Sequence, residues 1–146
     1  MQNMNQFRQS VEAGMIALEA IEGKTISVRL PADFEGELHN GDMVKLTGSE
    51  EFDTIVGAAD GVSNTLGMVA YNIKTTKYKA NDYLDVFING KIVFGKLGEA
   101  VNAGDELTWD NTNKYFVKKT TGSVDAMAFA NAGANELSKV VIKGIM

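Results

Sequence analysis

The spacing of apolar and polar positions changes character near residue 23. Before it, Phe7, Val11, Met15, Leu18 and Ile21 recur at spacings of four, four, three and three, which is one face of an α-helix, and Gly23 would end that helix. Gly14 lies inside the run and costs a helix about 1 kcal/mol relative to alanine. An extended arm that orders on a partner fits the same residues, and methionines at positions 1, 4 and 15 suit an adaptable contact. Residues 1–22 are therefore read as an N-terminal arm or a short amphipathic helix, and residues 23–146 as a single β domain.

From Thr25 the period is two. "TISVRL" alternates Ile26, Val28 and Leu30 with polar neighbours, the signature of a half-buried strand. "MVKLTG" follows a turn-rich connection as a second strand. "SEEFDT" reads as an acidic loop, and "IVGAADGVSNTLGMVAYNI" as two apolar runs split by a loop. "DYLDVFI" and "KIVFGKL" flank Asn89-Gly90, a pair that favours a type I′ hairpin turn. "DELTWDNTNKYFVKK" reads as a hairpin turning at "DNTNK", and "VDAMAFA" and "SKVVIKGIM" as the last strands. About eight short strands predict a mainly β fold, a compact small barrel or sandwich.

The strands follow a repeated order. "HNGDMVKL" (39–46) and "NAGDELTW" (102–109) open each half with Gly-Asp and a strand. "MVAYN" from Met68 matches "MAFAN" from Met127, and "DVFING" from Asp85 matches "KVVIKG" from Lys139. This predicts two similar β halves, about 38–90 and 101–145. Gly41 and Gly104 supply backbone freedom at a corner, and Asp42 and Asp105 accept backbone N–H groups there. These residues, with Asn89 and Gly90, are assigned as structural turns.

Composition narrows the function. The 146 residues include 15 glycines, one proline and no cysteine. Disulfides, thiolate metal sites and a cysteine nucleophile are excluded. The net charge of -5 disfavours nucleic-acid binding, and the lysines of "NIKTTKYK" and "FVKK" read as solvated strand faces. No apolar run approaches the roughly 20 residues of a membrane span, and the N-terminus lacks the basic and apolar regions of a signal peptide. The chain is expected to be made in a cytoplasm and to bind neither nucleic acid nor membrane.

Catalytic chemistry is sparse. The one histidine, His39, sits beside Asn40-Gly41 and reads as a loop residue. Glu50, Glu51 and Asp53 lack the glycine and distal glutamate of a calcium loop. "GKIVFGK" (90–96) matches a phosphate-loop spacing, but Leu97 replaces the Ser or Thr that would hold magnesium, and the inner residues favour a strand. No catalytic, cofactor-binding or metal site is assigned, no cofactor is expected, and the chain is not expected to be an enzyme.

The stretch "LGEAVNAGDELTWDNTNKYFVKKTTGSVDAMAFANAGANELSKVVI", with "GDMVKL" and "IVGAADG" in the first half, resembles the head decoration, or cement, proteins of tailed bacteriophages. The resemblance covers roughly residues 38–146, and the first 22 residues depart from it. It implies a β module on the outer capsid surface of the virion, commonly a trimer, that stabilises the shell by bridging neighbouring major capsid subunits. In that setting Met4, Phe7, Val11, Met15 and Leu18 are the candidate contact with the shell or a sister chain. The alternatives are another virion β module, such as a tail-tube or baseplate subunit, and a carbohydrate-binding module using Trp109, Tyr115 and Phe116.

Overall fold

A computed structural model describes residues 12–16 and 24–144. Twelve strands lie within them: β1 (Thr25–Arg29), β2 (Leu38–His39), β3 (Met43–Glu50), β4 (Asp53–Ala58), β5 (Thr65–Val69), β6 (Lys77–Tyr78), β7 (Tyr83–Phe87), β8 (Ile92–Lys96), β9 (Glu106–Asp110), β10 (Tyr115–Lys118), β11 (Ala126–Ala128) and β12 (Leu137–Ile142). The described residues are all-β, as the period-two alternation predicts, though with more and shorter strands than the eight expected.

Five strands close a barrel in the order β1-β4-β3-β5-β7, and the next five form a sheet in the order β10-β9-β11-β12-β8. Cut between β1 and β4, the barrel reads β4-β3-β5-β7-β1. Position by position this is the order of the second sheet, so β1, β3, β4, β5 and β7 correspond to β8, β9, β10, β11 and β12. The seam also repeats. Arg29 pairs with Ile55 in parallel across β1 and β4, and a parallel bridge joins Leu97 to Phe116 across the ends of β8 and β10. The antiparallel β2–β6 pair, Leu38 with Tyr78, recurs as the Val101–Ala132 bridge.

Individual hydrogen bonds match as well. Gly41 N donates to Val69 O (3.0 Å) and Val69 N to Asp42 O (2.8 Å). Gly104 N donates to Ala128 O (2.8 Å) and Ala128 N to Asp105 O (2.9 Å). Leu30 exchanges bonds with Asn81 and Asp82 as Leu97 does with Asn135 and Glu136. The spacing between partners falls from 67 residues (Leu30, Leu97) through 63 (Gly41, Gly104) and 59 (Val69, Ala128) to 54 (Asn81, Asn135). The losses fall in the connections and in the outer part of the β3–β4 hairpin, where β3 has eight residues to the five of β9, and the pairings nearer the corners are kept. The repeat therefore begins with β1 and β8, ahead of the Gly-Asp corners that mark it in the sequence.

Two cores result. Val28, Leu30, Val44, Val56, Leu66, Val69, Leu84 and Val86 are among the residues that fill the first barrel. Leu97, Leu107, Trp109, Phe116, Ala126, Val140 and Ile142 pack in the second, with Met43, Met68 and Phe87 of the first barrel joining them. All of β5 is buried because one face fills its own barrel and the other meets the neighbour. Gly67 lets β5 pass close to β7, since a Cβ there would overlap the carbonyl oxygen of Phe87.

Two sequence expectations are corrected. Asn89-Gly90 does not close a hairpin. The Lys91 amide bonds to Ile88 O at 3.2 Å, so the chain does turn, and positive φ falls on Gly90 (96°) and not on Asn89. The flanking strands go to different sheets: β7 pairs with β1 and β5, and β8 with β12. The turn is the junction between the halves, and local turn chemistry cannot show that the next strand crosses to another sheet. Second, "SEEFDT" is not a loop. Glu50 pairs with Asp53 at the end of the β3–β4 ladder, so the acidic residues continue the strands to a tight tip at Glu51-Phe52.

Candidate interaction surfaces

Of the predicted contact residues, Met4, Phe7, Val11 and Leu18 lie outside the described residues. Met15 is half-buried in a segment that is a turn and a β-bridge over residues 12–16 rather than a helix. Gly14 N donates to Phe94 O (2.9 Å), Phe94 N to Met15 O (2.9 Å), and Tyr71 N to Gly14 O (3.2 Å). The segment thus adds to the edge of β8 while touching the first barrel, a strap across both. Gly14 has φ 87°, and a Cβ there would sit 2.7 Å from Val69 O. The glycine that weakens a helix in the sequence is what admits the strap.

The turn residues hold corners. Gly41 and Gly104 have φ of 87° and 93°. The Asp42 carboxylate accepts the His39 amide at 2.9 Å and the Asp105 carboxylate the Asn102 amide at 2.9 Å. Burial raises the Asp42 carboxyl above the ordinary carboxylate range, opposed by the His39 amide and the Lys114 charge. Lys114 Nζ, at the end of the β9–β10 hairpin, lies 4.0 Å from Asp42. Asn40, Gly41, Asp42, Glu12 and Ala13 on one side, and Trp109, Asn113, Lys114, Lys96 and Leu137 on the other, enclose a cleft of about 490 Å³. The hairpin tip of the second sheet therefore faces the corner of the barrel across this cleft.

The opposite end of the first barrel carries a polar cluster that sequence reading dispersed. Arg29 donates from Nη2 to Glu50 (2.7 Å), from Nε to Asp53 (3.0 Å) and from Nη1 to Asn81 (3.3 Å), and the Tyr83 hydroxyl donates to Asp53 (2.8 Å). The Tyr83 hydroxyl and the Arg29 guanidinium hold Asp53 below the usual carboxylate range. The cluster ties β1, the β3–β4 hairpin and the start of β7 together at the barrel seam. Beyond it, Phe52 is fully exposed.

Other candidates resolve as structure. Trp109 and Phe116 are buried and meet edge to face with ring centroids 5.0 Å apart. They form the second core and offer no exposed stacking face to a sugar. The buried Asp125 carboxylate accepts the Trp109 amide (2.9 Å) and the Ser123 hydroxyl. Among the described residues no group of three or more His, Cys, Asp or Glu is placed to hold a metal ion, and no helix is long and apolar enough to cross a membrane.

No protein-family model and no curated protein sequence matches the chain. Its fold is similar to the solved structure of the N base of head fiber gp8.5 of bacteriophage phi29. The TM-score is 0.53 and the identity 14%, over 84% of this chain and 95% of that one. A likeness at this identity is one of architecture, and the architecture is one found at a phage head.

Proposed function

We propose that the chain is a structural, non-catalytic protein of a phage virion that decorates the outside of the head and stabilises the shell by bridging neighbouring major capsid subunits as a homotrimer. The observation that carries this reading is the fold likeness to a head-fibre base, which extends over 95% of that chain. The sequence resemblance to head decoration proteins points the same way. The barrel and the repeated sheet packed on it suit such a role. Two cores share residues across their boundary, so load applied at one end passes to the other through packed side chains. Many weak ties acting together raise the cost of shell rupture by multivalency.

In this reading the residues before the strap, including Met4, Phe7 and Val11, reach the shell or a sister chain. The test is co-sedimentation of the purified protein with undecorated, DNA-filled heads. Deleting residues 1–11 keeps Gly14 and its bonds, and thermal melting of the truncated chain checks that the fold is kept. The expected outcome is saturable binding by the full chain and at least about tenfold weaker binding by the truncated one, the loss of a few buried anchors. Equal binding by both would assign the contact elsewhere, and no binding by either would sink the decoration reading.

A further inference from the structure

The barrel and the repeated sheet carry equivalent hairpins, and one of them already shows what its tip does. The β9–β10 tip seats Lys114 beside Asp42, with Asn113 lining the same cleft, so it docks on a neighbouring barrel through a cation facing a carboxylate. The β3–β4 hairpin has no such seat within the described residues. It is longer, with β3 spanning eight residues against five in β9. Its tip carries the opposite charge, Glu50 and Glu51 beside Phe52, and Phe52 is fully exposed.

An exposed phenylalanine at a loop tip is ordinarily unremarked surface. Here its base is fixed. Glu50 and Asp53, the paired residues on either side of the tip, are both held by Arg29, and Asp53 also by Tyr83. A large aromatic held on a braced hairpin loses little conformational freedom on binding, which is the condition for an anchor residue. The flanking carboxylates select the partner's chemistry. A second copy docked head to tail would bring this tip to the free corner of the second sheet, where Asp105 stands, and like charges would meet. The complementary surface is an apolar pocket rimmed by lysine or arginine on a different protein.

We propose that the Glu50–Asp53 tip is a binding finger that inserts Phe52 into a cation-rimmed apolar pocket on the capsid protein. This rests on the head-decoration reading and deepens it. Strap and finger stand at opposite ends of β3, separated by its eight residues, about 26 Å of strand. Bridging needs two separated contacts, and the finger supplies the second.

The experiment compares the wild-type chain with Phe52→Ser and Glu51→Lys for binding to undecorated, DNA-filled heads, with thermal melting as a folding control. Both positions are exposed, so melting should be unchanged. Phe52→Ser is expected to weaken binding by about thirtyfold or more, the loss of a central anchor. Glu51→Lys is expected to weaken it about three- to tenfold at low ionic strength, with the difference vanishing in high salt. If wild type and Phe52→Ser bind heads equally, the finger is overturned and the decoration reading stands. If wild type does not bind heads, both fall. If sedimentation shows that Phe52→Ser dissolves a complex of the chain with itself, the partner is a second copy and the assignment to a different protein is overturned.

Discussion

At the residue scale, equivalent positions in the two halves do different work, and this gives a sharp test. Gly41 and Gly104 share a positive φ and the same corner bonds. A Cβ at Gly104 meets open space, while one at Gly41 would overlap Ala13 of the strap. Gly104→Ala should therefore cost only backbone strain, about 1 kcal/mol, and Gly41→Ala about 2–3 kcal/mol, because strain and collision add. Denaturant unfolding of the two variants measures the difference. Equal losses would mean that the strap does not press on the corner. The Gly-Asp corners were legible because both residue types have one local purpose. Gly14 was not, because its reason is the carbonyl of Val69, far away in sequence.

At the scale of elements, the loop between β4 and β5 hydrogen-bonds the first half to the second. Asp60 accepts Lys45 Nζ (2.8 Å) and the amides of Val62 (2.9 Å) and Ser63 (3.3 Å). Next to it, Gly61 O accepts the Ser123 amide of the second half at 3.0 Å. The Lys45 ammonium and these amides lower the Asp60 carboxyl to about 2. A carboxyl lowered on folding contributes stability above its ordinary value, and that contribution fades as pH falls towards the folded one. Asp60→Asn should be less stable at pH 7 by up to about 1 kcal/mol, a ceiling set by solvent screening of this exposed group. Melting curves of the two proteins should converge as pH falls from about 4 to about 2. A constant gap across that range would remove the charge from the account. Strand positions came through in the sequence wherever alternation was clean, as in Ile26, Val28 and Leu30. The Asn89-Gly90 hairpin failed because a turn fixes direction but not which sheet receives the next strand. The acidic tip was misread because Glu50 and Asp53 are poor strand residues in isolation, and the ladder and Arg29 together override that preference.

At the scale of the molecule, a repeated strand order organises the architecture. One five-stranded unit occurs twice, and the second seats its hairpin on the corner of the first. The strap crosses that same corner, so the remaining ends are an acidic finger and a free second corner. Sequence could signal the repeat through matched corners, but not the finger. The residues that brace Phe52 come from positions 29, 50, 53, 81 and 83, which only the closed barrel brings together. The central claim, a protein built into the phage head as a many-copy tie, is tested most directly by counting its copies in purified virions against the major capsid protein by quantitative mass spectrometry. The account predicts a ratio near one or a simple fraction set by the lattice. A few copies per particle, or none, would contradict it.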